Sequence, residues 1–338
     1  MAGNPLRVLV IGAGRMGAIR VEDLSGLVDQ VFVTNRTPDV AAGLAEQFGA
    51  QTVGWSELGQ VDVDAYVLTT ASALHADLLS SLIPRGLPIL CEKPLALTMA
   101  DTDRLIALID AHRTMVQVGF QRRFDPEIAE AQRRIRAGEL GTLYAVHAFS
   151  HDHQPSSPEF MSQAGDIFAD LLVHDFDLIA WLIDSQFEQV FASLAVREHH
   201  QYGDRVDGVR DGDVALVHAT MANGVQVAIS GTRHDPVGHD VHMEIFGSMD
   251  SITIGFNQRT PLHPVFGELP MALDPYVGFV DRFRAAFAAE TTAFVNAVRT
   301  NAPSLCSAID ARRAFQVAQS CSASVATGQP IRMDGGSP

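Results

Sequence analysis

Short, continuously apolar, β-branched runs alternate with stretches of helical character along the first third of the chain, and no other feature constrains the fold as strongly. The runs are RVLVI (7–11), QVFVT (30–34), DAYVLTT (64–70), LPILC (87–91) and MVQVGF (115–120), and MADTDRLIALIDAH (99–112) is the clearest helix among them. Strands that alternate with helices build βαβ units and a parallel sheet. Runs that are apolar throughout, rather than at every second residue, belong to strands covered on both faces. A doubly wound domain ending near Gln121 is therefore expected.

The first of these strands leads into VLVIGAGRMGAIR, with Gly12, Gly14 and Gly17 in G-x-G-x-x-G spacing at a strand-to-helix turn. In such a turn the first glycine permits the bend, the second lets a pyrophosphate approach the backbone, and the third lets helix and strand pack closely. The free amides and the positive dipole end of the helix favour a diphosphate, so a dinucleotide ligand is expected. NAD sites usually carry an acidic residue at the end of the second strand, about 20 residues on, for the ribose 2′-hydroxyl. Here the stretch reads Thr34, Asn35, Arg36, Thr37. A guanidinium there can pair with a 2′-phosphate, which favours NADP. In the alternative, Arg36 is a solvated loop cation and Asn35 serves the ribose of NAD.

After QRRFDPEIAEAQRRIRAGELG, a helix with Pro126 in its first turn and Gly138 near its end, the pattern changes. TLYAVHAFS (142–150), QVFASLAV (189–196), VALVHATM (214–221), VQVAISGT (225–232) and HMEIFGSMDSITI (242–254) read as half-buried strands, with turns at 222–224 and 248–250. Strands that follow one another without helices form a largely antiparallel sheet. Two helices, near 280–299 and 306–326, close the chain. The fold class is thus α/β: a Rossmann-type, doubly wound parallel sheet over residues 1–122, then an α+β domain with a large, mostly antiparallel, open-faced sheet over 123–338, for substrate and oligomerisation.

The whole chain sets bounds. Its 338 residues allow two domains at roughly 150 residues each, and 47% apolar content can fill both cores. A formal charge of −16 repels a phosphate backbone, so nucleic acid is not an expected partner. No stretch approaches the roughly 18 continuous apolar residues of a membrane span, and no basic region precedes a signal-length apolar core. Three cysteines without paired spacing fit a reducing compartment, and a cytoplasmic location is expected.

Two further places carry chemistry. Lys93, in ILCEKPLAL, is the one lysine among the 24 Lys and Arg residues. An ammonium can share or lose a proton when its pKa is lowered, whereas a guanidinium cannot. In QAGDIFADLLVHDFDLIAWLID (163–184), Asp170 and His174 stand four apart and share a helical face. Histidine exchanges protons near neutrality, and a carboxylate one turn away can bias it or grip a hydroxyl. An ordinary surface pair has the same spacing. Asp175 and Asp177 read as structural or solvated. A hydrolytic metal centre built from His151, Asp152, His153 and His174 would crowd ligands without helical spacing and leave the glycine loop unexplained, so no metal is expected.

Together the glycine loop, TTASALHADLLSSLIPRGLPILCEKPLAL, VQVGFQRRFDP and the D-x-x-x-H helix resemble the glucose-fructose oxidoreductase, inositol dehydrogenase and rhizopine catabolism family, written Gfo/Idh/MocA, over nearly the whole chain. The resemblance implies an NAD(P)-dependent dehydrogenase that oxidises a secondary alcohol of a cyclic polyol or sugar, most similar to the inositol dehydrogenase branch, as a homodimer or homotetramer. It implies catalytic roles for Lys93, Asp170 and His174. Cofactor contacts would fall on Gly12, Gly14, Arg15, Met16, Gly17, Asn35, Arg36, Thr70, His75, Glu92, Lys93 and Gln121, although His75 also reads as an ordinary helix-start residue. Substrate contacts would fall on Arg123, Asp152, Phe160 and His239. Three positions depart from the family pattern: Ala71 replaces a proline, Asp166 replaces a glycine and adds a carboxylate near the site, and His239 stands where inositol-type members carry a tyrosine. The last two weaken a claim to myo-inositol itself. A nicotinamide-binding regulator of the same fold without turnover is the alternative.

Overall fold

The computed structural model describes residues 5–157, 165–198, 211–262, 265 and 274–333. The chain divides into two compact units, one comprising Met1–Phe124 and Ala285–Arg312, the other Asp125–Arg284 and Arg313–Pro338.

In the first unit, strands β1 (Arg7–Ile11), β2 (Gln30–Thr34), β3 (Gln51–Thr52), β4 (Ala65–Leu68), β5 (Ile89–Glu92) and β6 (Val116–Gly119) form a parallel sheet in the order β3-β2-β1-β4-β5-β6. Helices α1 (Arg15–Leu24), α2 (Pro38–Phe48), α3 (His75–Leu82) and α4 (Met99–His112) connect the strands. Val8, Val10, Val33, Val67 and Leu90 are fully buried, which is why their strands carry no polar alternation. Phe294 and Val295, from a long helix late in the sequence, complete this core. The strand order reverses at β1, so the crevice beyond the carboxyl ends of β1 and β4 is the ligand position for a sheet of this type. β3 escapes a reading by hydrophobic runs because both its residues are polar and exposed.

In the second unit, Asp125 caps α5 (Pro126–Arg136), accepting from the backbone N–H groups of Glu127 at 3.0 Å and Ile128 at 3.4 Å. β7 (Leu143–His151) is followed by α6 (Val173–Ile183), then β8 (Phe187–Ala195), β9 (Val214–Met221), β10 (Gln226–Thr232), β11 (Asp240–Gly247) and β12 (Ser251–Ile254). Helices α7 (Phe279–Thr300) and α8 (Ala308–Thr327), each divided between the two units, precede β13 (Ile331–Arg332). The sheet order is β12-β11-β7-β10-β9-β8-β13. Every pairing is antiparallel except β7 with β10, whose parallel match brings Thr232 beside His151. Along β7, Val146, Ala148 and Ser150 are buried while His147, Phe149 and His151 alternate with them on the other face. That second face exposes Phe191 and Leu216. No helix among the described residues is long and apolar enough to cross a membrane.

Candidate active site

The glycine loop divides its three glycines by function. Gly12 sits at φ +110°, and an added Cβ would lie 2.8 Å from the backbone of Thr69. At Gly17 a Cβ would fall 2.1 Å from the carbonyl oxygen of Gly12, so no other residue allows α1 to seat against the turn. Around Gly14, by contrast, a Cβ would meet nothing within 4 Å. Gly14 is also the N-cap of α1, with no side-chain cap and no acidic residue in the first turn, which begins with Arg15 and Met16. Two glycines are thus required by the protein itself, while the third leaves an open cradle at a helix N-terminus. That arrangement fits a dinucleotide diphosphate.

At the end of β2, Asn35 turns inward, its Oδ1 accepting from the Ala13 amide at 3.3 Å and its Nδ2 donating to the Thr37 carbonyl at 3.2 Å. Arg36 is exposed, its guanidinium 5.6 Å from the centre of the Trp55 ring. Asn35 therefore shapes the glycine loop, and Arg36 supplies the charge beside it.

Two more strand ends complete this side. Thr69, just beyond β4, donates to the Gly12 carbonyl at 2.8 Å and so locks the loop from the neighbouring strand. His75 is fully buried, with Nδ1 2.7 Å from the Pro94 carbonyl and Nε2 3.1 Å from the Thr70 carbonyl. Its ring therefore braces the turn carrying Thr70 against the turn carrying Lys93. Burial depresses the imidazole pKa, opposed by those carbonyls and by Glu92. Lys93 is half-buried at the end of β5 and precedes Pro94 through a cis peptide bond. Glu92 is gripped by Arg20 of α1, whose Nη2 approaches Oε1 at 2.7 Å and whose Nε does so at 2.9 Å. The same guanidinium, wholly buried, pairs with buried Glu290 and donates to Thr291 Oγ1 at 2.9 Å. The turn after β6 buries Gln121 and Arg123. Arg123 donates to the Leu305 carbonyl at 3.1 Å and lies 3.6 Å from Asp310.

In the second unit the helix carrying Asp170 opens as a π-turn over Phe168–Leu172 before α6 begins. Such wide turns are rare and concentrate at functional sites. They alter the phase between residues four apart, so α-helical spacing alone does not describe the Asp170–His174 relation. Gly231 in β10 makes room for the turn, since a Cβ there would meet Leu172 Cδ2 at 2.8 Å. Asp170 Oδ2 accepts from Arg233 Nη1 at 3.3 Å, and His174 is half-buried within α6. Asp152 and His239 are brought together, with His239 Nδ1 3.2 Å from Asp152 Oδ1 and His239 only 2% exposed. The Asp152 amide donates to the Thr232 carbonyl at 2.9 Å, tying this pair to the strand end that carries Arg233. His151 is held by Ser230 Oγ at 3.0 Å. Burial lowers its pKa against the pull of Asp240 and Asp235. Phe160 lies outside the described residues.

Asp166 accepts from the Ala169 amide at 3.0 Å and from Ser322 Oγ, and so caps the entry of the π-turn. Asp175 and Asp177 are buried, and Asp175 accepts from Ser150 Oγ at 2.8 Å. Neither is a solvated residue. Among the described residues no group of three side chains could hold a metal ion. Sequence reasoning missed Arg20, Thr69, Asp211 and Arg233. The one available signal was an arginine between Ile19 and Val21 on a helix that must pack against the sheet.

The chain matches two family models: residues 6–120 match the oxidoreductase family with an NAD-binding Rossmann fold, and residues 128–253 match the GFO/IDH/MocA C-terminal domain. It is 33% identical to inositol 2-dehydrogenase 4 of Saccharopolyspora erythraea over 96% of this chain and 94% of that protein. It is 29% identical to inositol 2-dehydrogenase of Rhizobium meliloti over 96% of this chain and 98% of that protein. Among solved structures, a putative myo-inositol dehydrogenase from Sinorhizobium meliloti superposes with a TM-score of 0.88 at 28% identity, over 97% of this chain and 99% of that one. The glycine loop, the Glu-Lys-Pro strand end and the π-turned Asp/His helix therefore sit on the scaffold these relatives share, and the chain belongs to the Gfo/Idh/MocA family of oxidoreductases.

Proposed function

We propose that this chain is a nicotinamide-dependent dehydrogenase acting on a secondary alcohol of a cyclic polyol or sugar. The observation that carries the reading is Lys93, the one lysine of the chain, placed at the carboxyl end of β5 in the sheet that carries the glycine loop. A nicotinamide held by that loop supplies the acceptor for the hydride on the carbinol carbon. Lys93 donates a hydrogen bond to the reacting oxygen and stabilises its developing negative charge. His174 takes the hydroxyl proton. Asp170 orients the imidazole and binds a neighbouring hydroxyl. Positioned proton transfer of this kind supplies roughly 10² to 10⁴ in rate, and alignment of substrate and cofactor adds to it.

The polyol class is supported by relatives named as inositol dehydrogenases. The pair of buried His239 and half-buried Asp152 is the feature on which the choice of isomer turns, with Arg123 and Phe160 as further substrate residues. Cofactor residues are Gly12, Gly14, Arg15, Met16, Gly17, Asn35, Arg36, Thr70, His75, Glu92, Lys93 and Gln121. NADP is the favoured cofactor and NAD the second, because Arg36 is exposed beside the loop with its charge directed over Trp55 rather than into the core. The open sheet face with exposed Phe191 and Leu216 supports a homodimer or homotetramer, and three cysteines without paired spacing support a cytoplasmic setting. A screen of inositol isomers and sugars with each cofactor, read at the nicotinamide absorbance, tests the reading. Reduced cofactor should form with at least one cyclic polyol. Tight cofactor binding with no turnover of any polyol or sugar would instead make the chain a nicotinamide-binding regulator.

A further inference from the structure

We propose that Arg233 is a positioning residue for this reaction: its buried fork, anchored on Asp211, fixes the carboxylate of Asp170 within the π-turn. The inference rests on the dehydrogenase reading above. Arg233 follows β10 directly and is 2% exposed, so its charge has to be met by protein groups. Its amide donates to the Asp213 carbonyl at 2.9 Å and its Nε to the Gly212 carbonyl at 3.3 Å. Nη2 donates to Asp211 Oδ2 at 3.2 Å, and Nη1 donates to Asp170 Oδ2 at 3.3 Å. Asp211 is fixed in turn by the Ile167 amide at 2.9 Å, where the chain enters the π-turn. One guanidinium thus joins the strand end, the entry of the turn and the functional carboxylate inside it.

The geometry separates two tasks. A π-turn gives up ordinary i→i−4 pairing and persists only where tertiary contacts hold it. Leu172 in the space beside Gly231 and the cap from Asp166, whose carbonyl also accepts from the Asp170 amide at 2.9 Å, supply part of that hold at the backbone. Arg233 reaches the Asp170 carboxylate itself. At 3.3 Å the bond is longer than the 2.7–2.9 Å of a tight charge-assisted pair, so it sets direction and charge without drawing the carboxylate into the core. A planar fork can serve two carboxylates at once, whereas the compact ammonium of lysine cannot match that geometry.

The test uses the full chain, myo-inositol and scyllo-inositol as probes, and four proteins: wild type, Arg233→Lys, Asp170→Asn and the double variant. Arg233→Lys keeps the buried charge, and an Arg233→Met/Asp211→Asn variant removes the cation together with its anchoring carboxylate if the lysine variant fails to fold. In either, kcat/KM for the polyol should fall roughly a hundredfold, the scale for a misplacement of about 1 Å, with the NADPH dissociation constant within about threefold of wild type. In the Asp170→Asn background the same change should cost less than about threefold in kcat/KM, while any fall in melting temperature persists. Equal losses with and without Asp170, or a loss confined to melting temperature, would show that Arg233 serves stability alone and overturn the proposal. A wild type that turns over neither probe nor any other polyol removes the dehydrogenase reading and this inference with it. A normal wild type beside a normal Arg233→Lys enzyme removes this inference only.

Discussion

Each unit sets a deeply buried arginine against two carboxylates, Arg20 in the first and Arg233 in the second, but the two clusters differ in tightness and in what they hold. In the first, Arg20 grips Glu92 at 2.7 Å together with the fully buried Glu290, and ties α1, the end of β5 and α7 into one block. In the second, Arg233 reaches Asp170 and Asp211 at 3.3 and 3.2 Å, and the turn it serves is a π-turn. Arg20 fixes a backbone, that of the strand end carrying Lys93. Arg233 aims a side chain. The nucleotide half of the machinery is thus built as a rigid frame in which glycines and strand ends leave little freedom. The proton-handling half is a π-turn whose functional carboxylate the Arg233 fork reaches.

If that contrast is right, breaking the tighter cluster should cost the most stability. Arg20→Met leaves Glu290 buried without its cation, and loss of one partner from a buried ion pair costs roughly 3–5 kcal/mol. Denaturant unfolding of wild type and variant measures it. A loss below about 1 kcal/mol would mean that Glu92 and Glu290 find other partners and that Arg20 is no frame. The glycine loop sharpens the same point. Gly17→Ala should prevent stable folding of the first unit, because its Cβ would fall 2.1 Å from a carbonyl oxygen. Gly14→Ala should leave the melting temperature nearly unchanged and weaken cofactor binding, since its Cβ would occupy only the open cradle. Thermal melts with NADPH titrations distinguish the two, and equal behaviour of both variants would contradict the division of roles.

The readability of the two halves follows from the same contrast. The parallel strands, the glycine loop and the Glu-Lys-Pro turn are local patterns, and β1, β2, β4, β5 and β6 lie within the apolar runs or extend a single residue beyond them. Burial on both faces writes itself into a sequence. β3 does not, being two exposed polar residues, and neither does the parallel pairing of β7 with β10, which joins segments about 80 residues apart. The Asp170–His174 spacing was visible, but the π-turn that changes its phase depends on Gly231 and Arg233, some 60 residues further on. For Asp175 the helical pattern leaves a structural and a solvated role open, and the structure takes the first. Its burial depends on Ser150, in a strand 25 residues away. The return of α7 residues such as Phe294 to the first core has no local signature.

Cofactor choice gives the next smaller effect. A charge-assisted phosphate contact contributes roughly 1.5–3 kcal/mol, about ten- to hundredfold in preference. Arg36→Ala should weaken NADP by that factor and leave NAD nearly unchanged, and Asn35→Asp should reverse the preference. Steady-state kcat/KM with both cofactors checks this, and a wild type that already favours NAD tenfold would show that Arg36 serves solvent. The smallest effect concerns acid. Burial lowers the pKa of His75, so the folded chain binds fewer protons than the unfolded chain just below the ordinary value of about 6.5. Stability contributed by the neutral ring is therefore present above that pH and falls as pH drops below it. His75→Gln should flatten the decline between about pH 7 and pH 5 in a series of melts, and an unchanged slope would show that other groups govern it.

The most direct test of the division between a fixed nucleotide frame and the chemistry attached to it is the kcat of Lys93→Arg measured beside its NAD(P)H dissociation constant. The variant keeps the positive charge at the end of β5 but loses the compact donor that can share its proton. The account predicts a fall in kcat of roughly 10² to 10⁴ with cofactor affinity within about threefold of wild type. A near-normal kcat would show that any cation suffices at that strand end and would contradict the role assigned to the one lysine of the chain.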